Sequence, residues 1–196
     1  MSEDPARPPP PPRPRPQRWG PRRRWALGAV ATLAVLSLVG LLVGRSGPGD
    51  AAAAPEPAPR LELPALDGDG TVSLAAQRGR PVVVNFFASW CVPCRRELPN
   101  LARVARSVGD DVVFLGVDHL DSREGGRELV AATGLDWPVG WDRAGTVAPA
   151  AGLLGLPGTI FVSPAGEVLE AHTGELSAEA FAERLERHFG VRVPPA

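Results

Sequence analysis

Val82-Val-Val-Asn-Phe-Phe-Ala-Ser-Trp-Cys-Val-Pro-Cys-Arg-Arg-Glu-Leu-Pro99 is the stretch from which the fold of this chain can be read. Val82–Phe87 is a run of β-branched and aromatic residues broken only by Asn85, the pattern of a strand buried on both faces. From Cys94 to about Val108 the apolar residues Leu98, Leu101, Val104 and Ala105 recur on one side of a helix. Pro99 lies inside that helix and should bend it. Cys91 and Cys94 therefore fall at a strand-to-helix junction, at the sheet edge where α/β folds commonly place their sites.

Two cysteines separated by two residues at a helix start can bridge within one turn. Cys91 would lie at or near the N-cap, where unpaired backbone N–H groups and the helix dipole favour negative charge. That environment lowers the pKa of the first thiol, and a thiolate is the species that attacks a disulfide. Cys91 is thus the expected nucleophile, and Cys94, one turn in, the resolving thiol. Pro93 is admissible because first-turn residues need no intrahelical donor. It also removes one amide that would otherwise support the thiolate. A lone pair of this spacing equally describes half a zinc site, but only His119, His172 and His188 remain to complete one. Inert structural cysteines are the other bland reading. Trp90 before the pair and the buried strand leading into it favour redox chemistry, with no metal and no cofactor expected. The chain has no further cysteines, so it is not a fold stapled by several disulfides.

On either side of this core the pattern continues. Leu61-Glu-Leu-Pro-Ala-Leu66, the turn Asp67-Gly-Asp-Gly70 and Thr71-Val-Ser-Leu74 predict a pair of short strands. Asp111–Val117 reads as a second buried strand, with helical patterning over Ser122–Thr133 and again near Thr146–Leu153. Thr159–Val162, Pro164-Ala-Gly166 and Val168–Ala171 predict a hairpin. Ala178–Phe189 predicts a closing amphipathic helix, capped by Ser177 and stopped at Gly190. Alternation followed by a hairpin indicates an α/β domain with a mixed sheet. Asp118, Asp121 and Asp136 are expected to be solvated rather than catalytic.

The N-terminal sixty residues describe topology. Residues 1–24 are Pro-rich and basic, with seven Arg against Glu3 and Asp4, and are expected to lack a packed core and stay in the cytoplasm. Residues 25–44 contain no charge and, as a helix, would span about 30 Å, enough to cross the hydrocarbon core of a bilayer. The arginines before them orient the segment with its N-terminus cytoplasmic. This is the reading of an uncleaved transmembrane signal-anchor. A cleaved signal peptide with an Ala-x-Ala site in Ala51–Ala54 is the rival, against which the long apolar stretch counts. Residues 45–60 read as an Ala/Pro/Gly linker and 61–192 as the redox domain. From Ser46 onward 13 Arg stand against 20 Asp and Glu, which disfavours nucleic acid as a partner.

Asn85-Phe-Phe-Ala-Ser-Trp-Cys-Val-Pro-Cys-Arg-Arg-Glu-Leu-Pro99 resembles the active-site signature of thioredoxin-like proteins, specifically the TlpA/ResA/CcmG group of tethered, extracytoplasmic thiol reductases. The resemblance runs over about Leu61–Gly190 and includes Leu66-Asp-Gly-Asp-Gly70 and Gly155-Leu-Pro-Gly-Thr-Ile-Phe-Val162. It implies a thioredoxin-like fold, a mixed central sheet flanked by helices. Pro157 would be the cis-proline of the group, and Leu156 before it would offer backbone groups to a bound peptide. Gly158 departs from the Thr common in relatives and would either open the substrate groove or relax the loop. Classical thioredoxins carry a proton-shuttling Asp at the position of Asn85, which cannot titrate. Glu97, three residues after Cys94, is open to two readings: proton handling or partner recognition, or a solvated helix Glu paired with Arg. Trp90 is expected over the disulfide rim on the docking face. Arg95 and Arg96 would either support the thiolate or serve the surface.

The implied function is reduction of disulfides in exported proteins such as apocytochrome c. A membrane-embedded thiol reductase would supply the electrons, because the domain would lie outside the cytosolic thiol pool. A disulfide-introducing oxidase with the same two sulfurs, and a tethered non-catalytic binding module, remain as alternatives. Peroxidase chemistry is disfavoured because Ala88 stands where the usual Thr-x-x-Cys arrangement needs Thr.

Overall fold

The structure is a computed structural model, and it describes residues 56–194. Its strands are β1 (Glu56–Pro57), β2 (Glu62–Pro64), β3 (Thr71–Ser73), β4 (Val82–Phe87), β5 (Val113–His119), β6 (Val139–Asp142), β7 (Gly158–Val162) and β8 (Glu167–Thr173). The helices are α1 (Val92–Val108), α2 (Arg123–Thr133), α3 (Val147–Ala150) and α4 (Ala178–Phe189). The tail 1–24 and the proposed span 25–44 lie outside the described residues. Among the described residues no helix is long and apolar enough to cross a membrane.

Six strands form one mixed sheet in the order β1-β8-β7-β4-β5-β6. β4 is buried along its whole length because it has strand neighbours on both sides and covered faces above and below. It runs parallel to β5 and antiparallel to β7. Side chains alternate across a strand, so Val83 and Phe87 join Leu98 and Leu101 of α1 and Phe181 and Leu185 of α4 on one face. Val82, Val84 and Phe86 meet Leu61, Val72 and Leu74 of the β2–β3 region and Val147 of α3 on the other. Asn85 shares the parity of Val83 and Phe87 and so faces α1.

The local signals hold where caps and turns decide. Ser177 accepts a hydrogen bond from Ala180 N–H at the start of α4, and Gly190 ends it at φ 70°. α1 runs without interruption through Pro99. Val139–Asp142, to which the sequence pattern assigns no element, is the strand β6, paired in parallel with β5. Four residues between Pro138 and the following turn carry too little periodicity to announce a strand; β5 supplies the partner that makes one. Residues 56–57, assigned to the linker, pair with β8, so the sheet reaches into that segment.

Candidate active site

β4 ends at Phe87, and Ala88-Ser-Trp leads to Cys91 at the N-cap of α1. Cys91 Sγ accepts a hydrogen bond from Cys94 N–H at 3.2 Å, the sulfur taking the place a Ser or Asp oxygen usually holds. Pro93 lies in the first turn, where its missing N–H breaks no intrahelical bond. The two sulfurs form a disulfide, with the Cα atoms 5.3 Å apart. Cys94 has no exposed surface, whereas Cys91 retains 5 %. Trp90 and Val92 beside it are mostly exposed, as is Leu120, whose carbonyl accepts from Trp90 Nε1–H at 3.2 Å. Trp90 is thus a surface residue at the head of α1 rather than a core residue.

Ser89, two residues before Cys91, has every polar group engaged. Its N–H and hydroxyl both donate to Asp121, and its carbonyl accepts from Arg95 Nε at 2.8 Å and Nη2 at 2.6 Å. Arg95 therefore fixes the loop, while Arg96 pairs with Glu175 at the surface.

Glu97 is fully buried, which overturns the solvated reading. One oxygen accepts from Asn85 Nδ2–H at 2.8 Å and the other from Leu176 N–H at 2.6 Å. Burial pushes its carboxyl up to about 7, against the pull of those two donors. Asn85 Nδ2 also lies 3.1 Å from Thr159 Oγ1 and 3.3 Å from Gly158 O, joining Glu97 to the first residues of β7. The Leu156–Pro157 bond just before them is cis. Pro157 O accepts from Gly174 N–H at 2.8 Å, while the backbone of Leu156 is not taken up by turn hydrogen bonds among the described residues. Gly158 opens no groove: a Cβ there would stand 2.7 Å from Leu153 Cδ1, so Leu153 occupies the space.

Asp118 corrects a second expectation. It has no exposed surface, because β5 carries it under the first turn of α2 beside Gly126. Neither of its oxygens meets a donor, and burial, with the charge of Asp121 behind it, pushes its carboxyl up to about 8. Asp121 is half-buried on Ser89, and only Asp136 is exposed as expected. The readable signal was parity: Phe114, Gly116 and Asp118 share one face of a buried strand. Among the described residues no group of His, Cys, Asp and Glu is arranged to hold a metal ion.

The family model described as AhpC/TSA family matches residues 54–171, which include the Cys pair, Asn85, Glu97, Asp118 and the cis-proline. The chain belongs to the AhpC/TSA family. Among curated proteins it is similar to the thiol:disulfide interchange protein DsbE of Pseudomonas fluorescens, 28% identical over 89% of this chain and 98% of DsbE. It is also similar to the thiol-disulfide oxidoreductase ResA of Halalkalibacterium halodurans, 29% identical over 69% of this chain and 77% of ResA. A thioredoxin-family thiol:disulfide interchange protein of Chlorobium tepidum superposes with a TM-score of 0.62, at 26% identity over 71% of this chain and all of that one. This AhpC/TSA member is a thiol–disulfide oxidoreductase of the DsbE/ResA type, built on the thioredoxin fold.

Proposed function

We propose that the protein is a membrane-tethered, extracytoplasmic reductase of disulfides in exported proteins, with apocytochrome c as the substrate the family likeness suggests. The observation that carries this reading is the asymmetry of the pair. Cys91 caps α1 and retains some exposed surface, whereas Cys94 is fully buried, one helical turn before the buried carboxyl of Glu97. In the proposed reaction the Cys91 thiolate attacks one sulfur of the substrate disulfide, whose other sulfur leaves as a thiolate. Cys94 then loses its proton and attacks Cys91 Sγ, which frees the second substrate sulfur and leaves the Cys91–Cys94 disulfide. Glu97 lies one turn along the helix from Cys94, and a carboxyl held near neutrality suits the handling of that proton. Asn85 orients Glu97 instead of titrating itself. Trp90, Leu156 and cis Pro157 form the docking edge, and Pro93 shapes the first turn.

Residues 25–44 would anchor the domain with the basic tail 1–24 in the cytoplasm. A membrane-embedded thiol reductase would return two electrons to the pair after each turnover. Substituting Cys94→Ser should accumulate mixed disulfides in intact membranes, and Cys91→Ser should abolish them. Alkylation of the wild-type chain in cells should find the pair mostly reduced. A mostly oxidised pair would instead favour the disulfide-introducing reading, and absence of adducts would favour a binding module.

A further inference from the structure

We propose that Asp118 and Asp121 hold one proton between them, and that this proton keeps Ser89, and with it the approach to Cys91, in place. Asp118 is sealed from solvent with no donor on either oxygen. Consecutive glycines of α2 lie against the two carboxyls, Gly125 against Asp121 and Gly126 against Asp118, so the pair shares one pocket, and the charge of Asp121 bears on Asp118. Two carboxylates offer each other only acceptors, so the contact is attractive only when one carries a proton. Asp121 is the anion of the pair, because it accepts from Ser89 N–H, from the Ser89 hydroxyl at 2.9 Å and from Ser122 N–H at 2.7 Å. Asp118, without any such donor, is the proton holder.

The first turn of α2 is cut to fit this pair. A Cβ on Gly126 would stand 2.1 Å from Asp118 Oδ2, and one on Gly125 would stand 2.6 Å from Ser89 Oγ and 3.2 Å from Asp121 Oδ1. Among the described residues no cation is hydrogen-bonded to Asp118, and Arg143, after β6, lies over the Trp141 ring instead. On α2, Arg123 is bonded to the carbonyls of Ala65 and Leu66 and stacked on Trp141, and Arg127 is bonded to Leu66 O and Asp67. Glu124 and Glu128 of the same helix are exposed. β4 carries no ionisable side chain. On β6, Asp142 is taken by His119 of β5 and by the N–H groups of Thr146 and Val147. The proton is therefore the neutralising charge here.

Burial holds the Asp118 carboxyl near pH 8, so the clamp is set below that range. Above it both carboxylates are charged, they repel, and Asp121 is driven from Ser89. Asp118 and Asp121 act as positioning residues, through Ser89, on the sulfur two residues further on. Only the kinetic arm of the test rests on Cys91 being the sulfur that exchanges with an external thiol.

The test uses the full-length oxidised chain in detergent micelles, in which neither cysteine titrates. With aspartate carboxyl carbons labelled with ¹³C, one resonance should titrate with a midpoint near pH 8 in the wild type and be missing from Asp118→Asn. The Ser89 amide proton should move with the same midpoint in the wild type. In Asp118→Asn, whose side-chain N–H₂ donates to Asp121 at every pH, it should stay put. All aspartates titrating below pH 6, or a Ser89 amide that ignores the transition, would overturn the proposal. The rate of reduction by dithiothreitol should then show a wild-type to Asp118→Asn ratio that changes by about threefold across pH 8. A constant ratio would overturn the positioning role. Failure of the Cys94→Ser trap would count against the reductase reading and leave the carboxyl titration standing.

Discussion

Two buried carboxyl groups flank the Cys91–Cys94 loop, and their surroundings differ in one respect. Glu97, on the side of β7 and α4, has a donor for each oxygen, Asn85 Nδ2 and Leu176 N. Asp118, on the side of α2, has none and faces a second carboxylate. Both lose water, so both rise, but Glu97 reaches about 7 and Asp118 about 8 from a lower starting value. The difference shows that burial sets the direction, while donors and neighbouring charge set how far the group goes. In the proposed reaction this divides the labour: a well-held acid one turn from the resolving thiol, and a proton-dependent brace at the nucleophile's loop.

The sharpest way to break this comparison is through stability. Each carboxyl ionises at higher pH in the folded chain than in the unfolded one, so the native state retains protons that the unfolded chain has released. Wild-type stability should therefore fall as pH rises from about 4 through about 8. Asp118→Asn should be more stable than wild type by about 3 kcal/mol at pH 8.5 and gain little at pH 4, read by urea unfolding. An equal effect at both pH values would mean that Asp118 is not a retained acid.

Gly126→Ala probes the fit of the same pocket. Gly to Ala inside a helix ordinarily gains about 1 kcal/mol. Here the added Cβ runs into Asp118, and a loss of about 2 kcal/mol is expected. Combining it with Asp118→Ala should recover most of that loss, and additive effects would show that the two sites do not meet.

On the other side of the loop, Glu97→Gln should slow resolution of the mixed disulfide about tenfold near neutral pH in single-turnover measurements. The pH–rate profile should lose its inflection near 7. A uniform slowing at all pH values would reduce Glu97 to a packing role. The smallest effect belongs to Glu175→Gln. Glu175 pairs with Arg96 at the surface and adds like charge to Glu97, so its removal should lower the Glu97 midpoint by a few tenths of a pH unit, less in high salt.

Local rules carried much of the architecture. The run Val82–Phe87 could only be a central strand. Cys91 and Cys94 are neighbours by helical spacing whatever surrounds them, and Ser177 and Gly190 bound the last helix by their own chemistry. β6 escaped because a four-residue strand has little pattern of its own and exists through its pairing with β5. Glu97 and Asp118 escaped for a related reason. Glu97 beside Arg95 and Arg96 reads as solvated until the fold places other residues over it, and Asp118 at a strand end does so unless the strand's parity is followed through to it.

The sequence by itself determined the redox pair, the strand and helix that present it and the order of the elements other than β1 and β6, because these follow from spacing, parity and capping within a few residues. Only the tertiary structure decided the electrostatics. Glu97 meets Leu176 across 79 residues, Asn85 meets Thr159 across 74, and Ser89 meets Asp121 across 32. Desolvation and hydrogen bonding depend on what the folded chain packs around a group, and in this protein that packing comes from distant strands and helices.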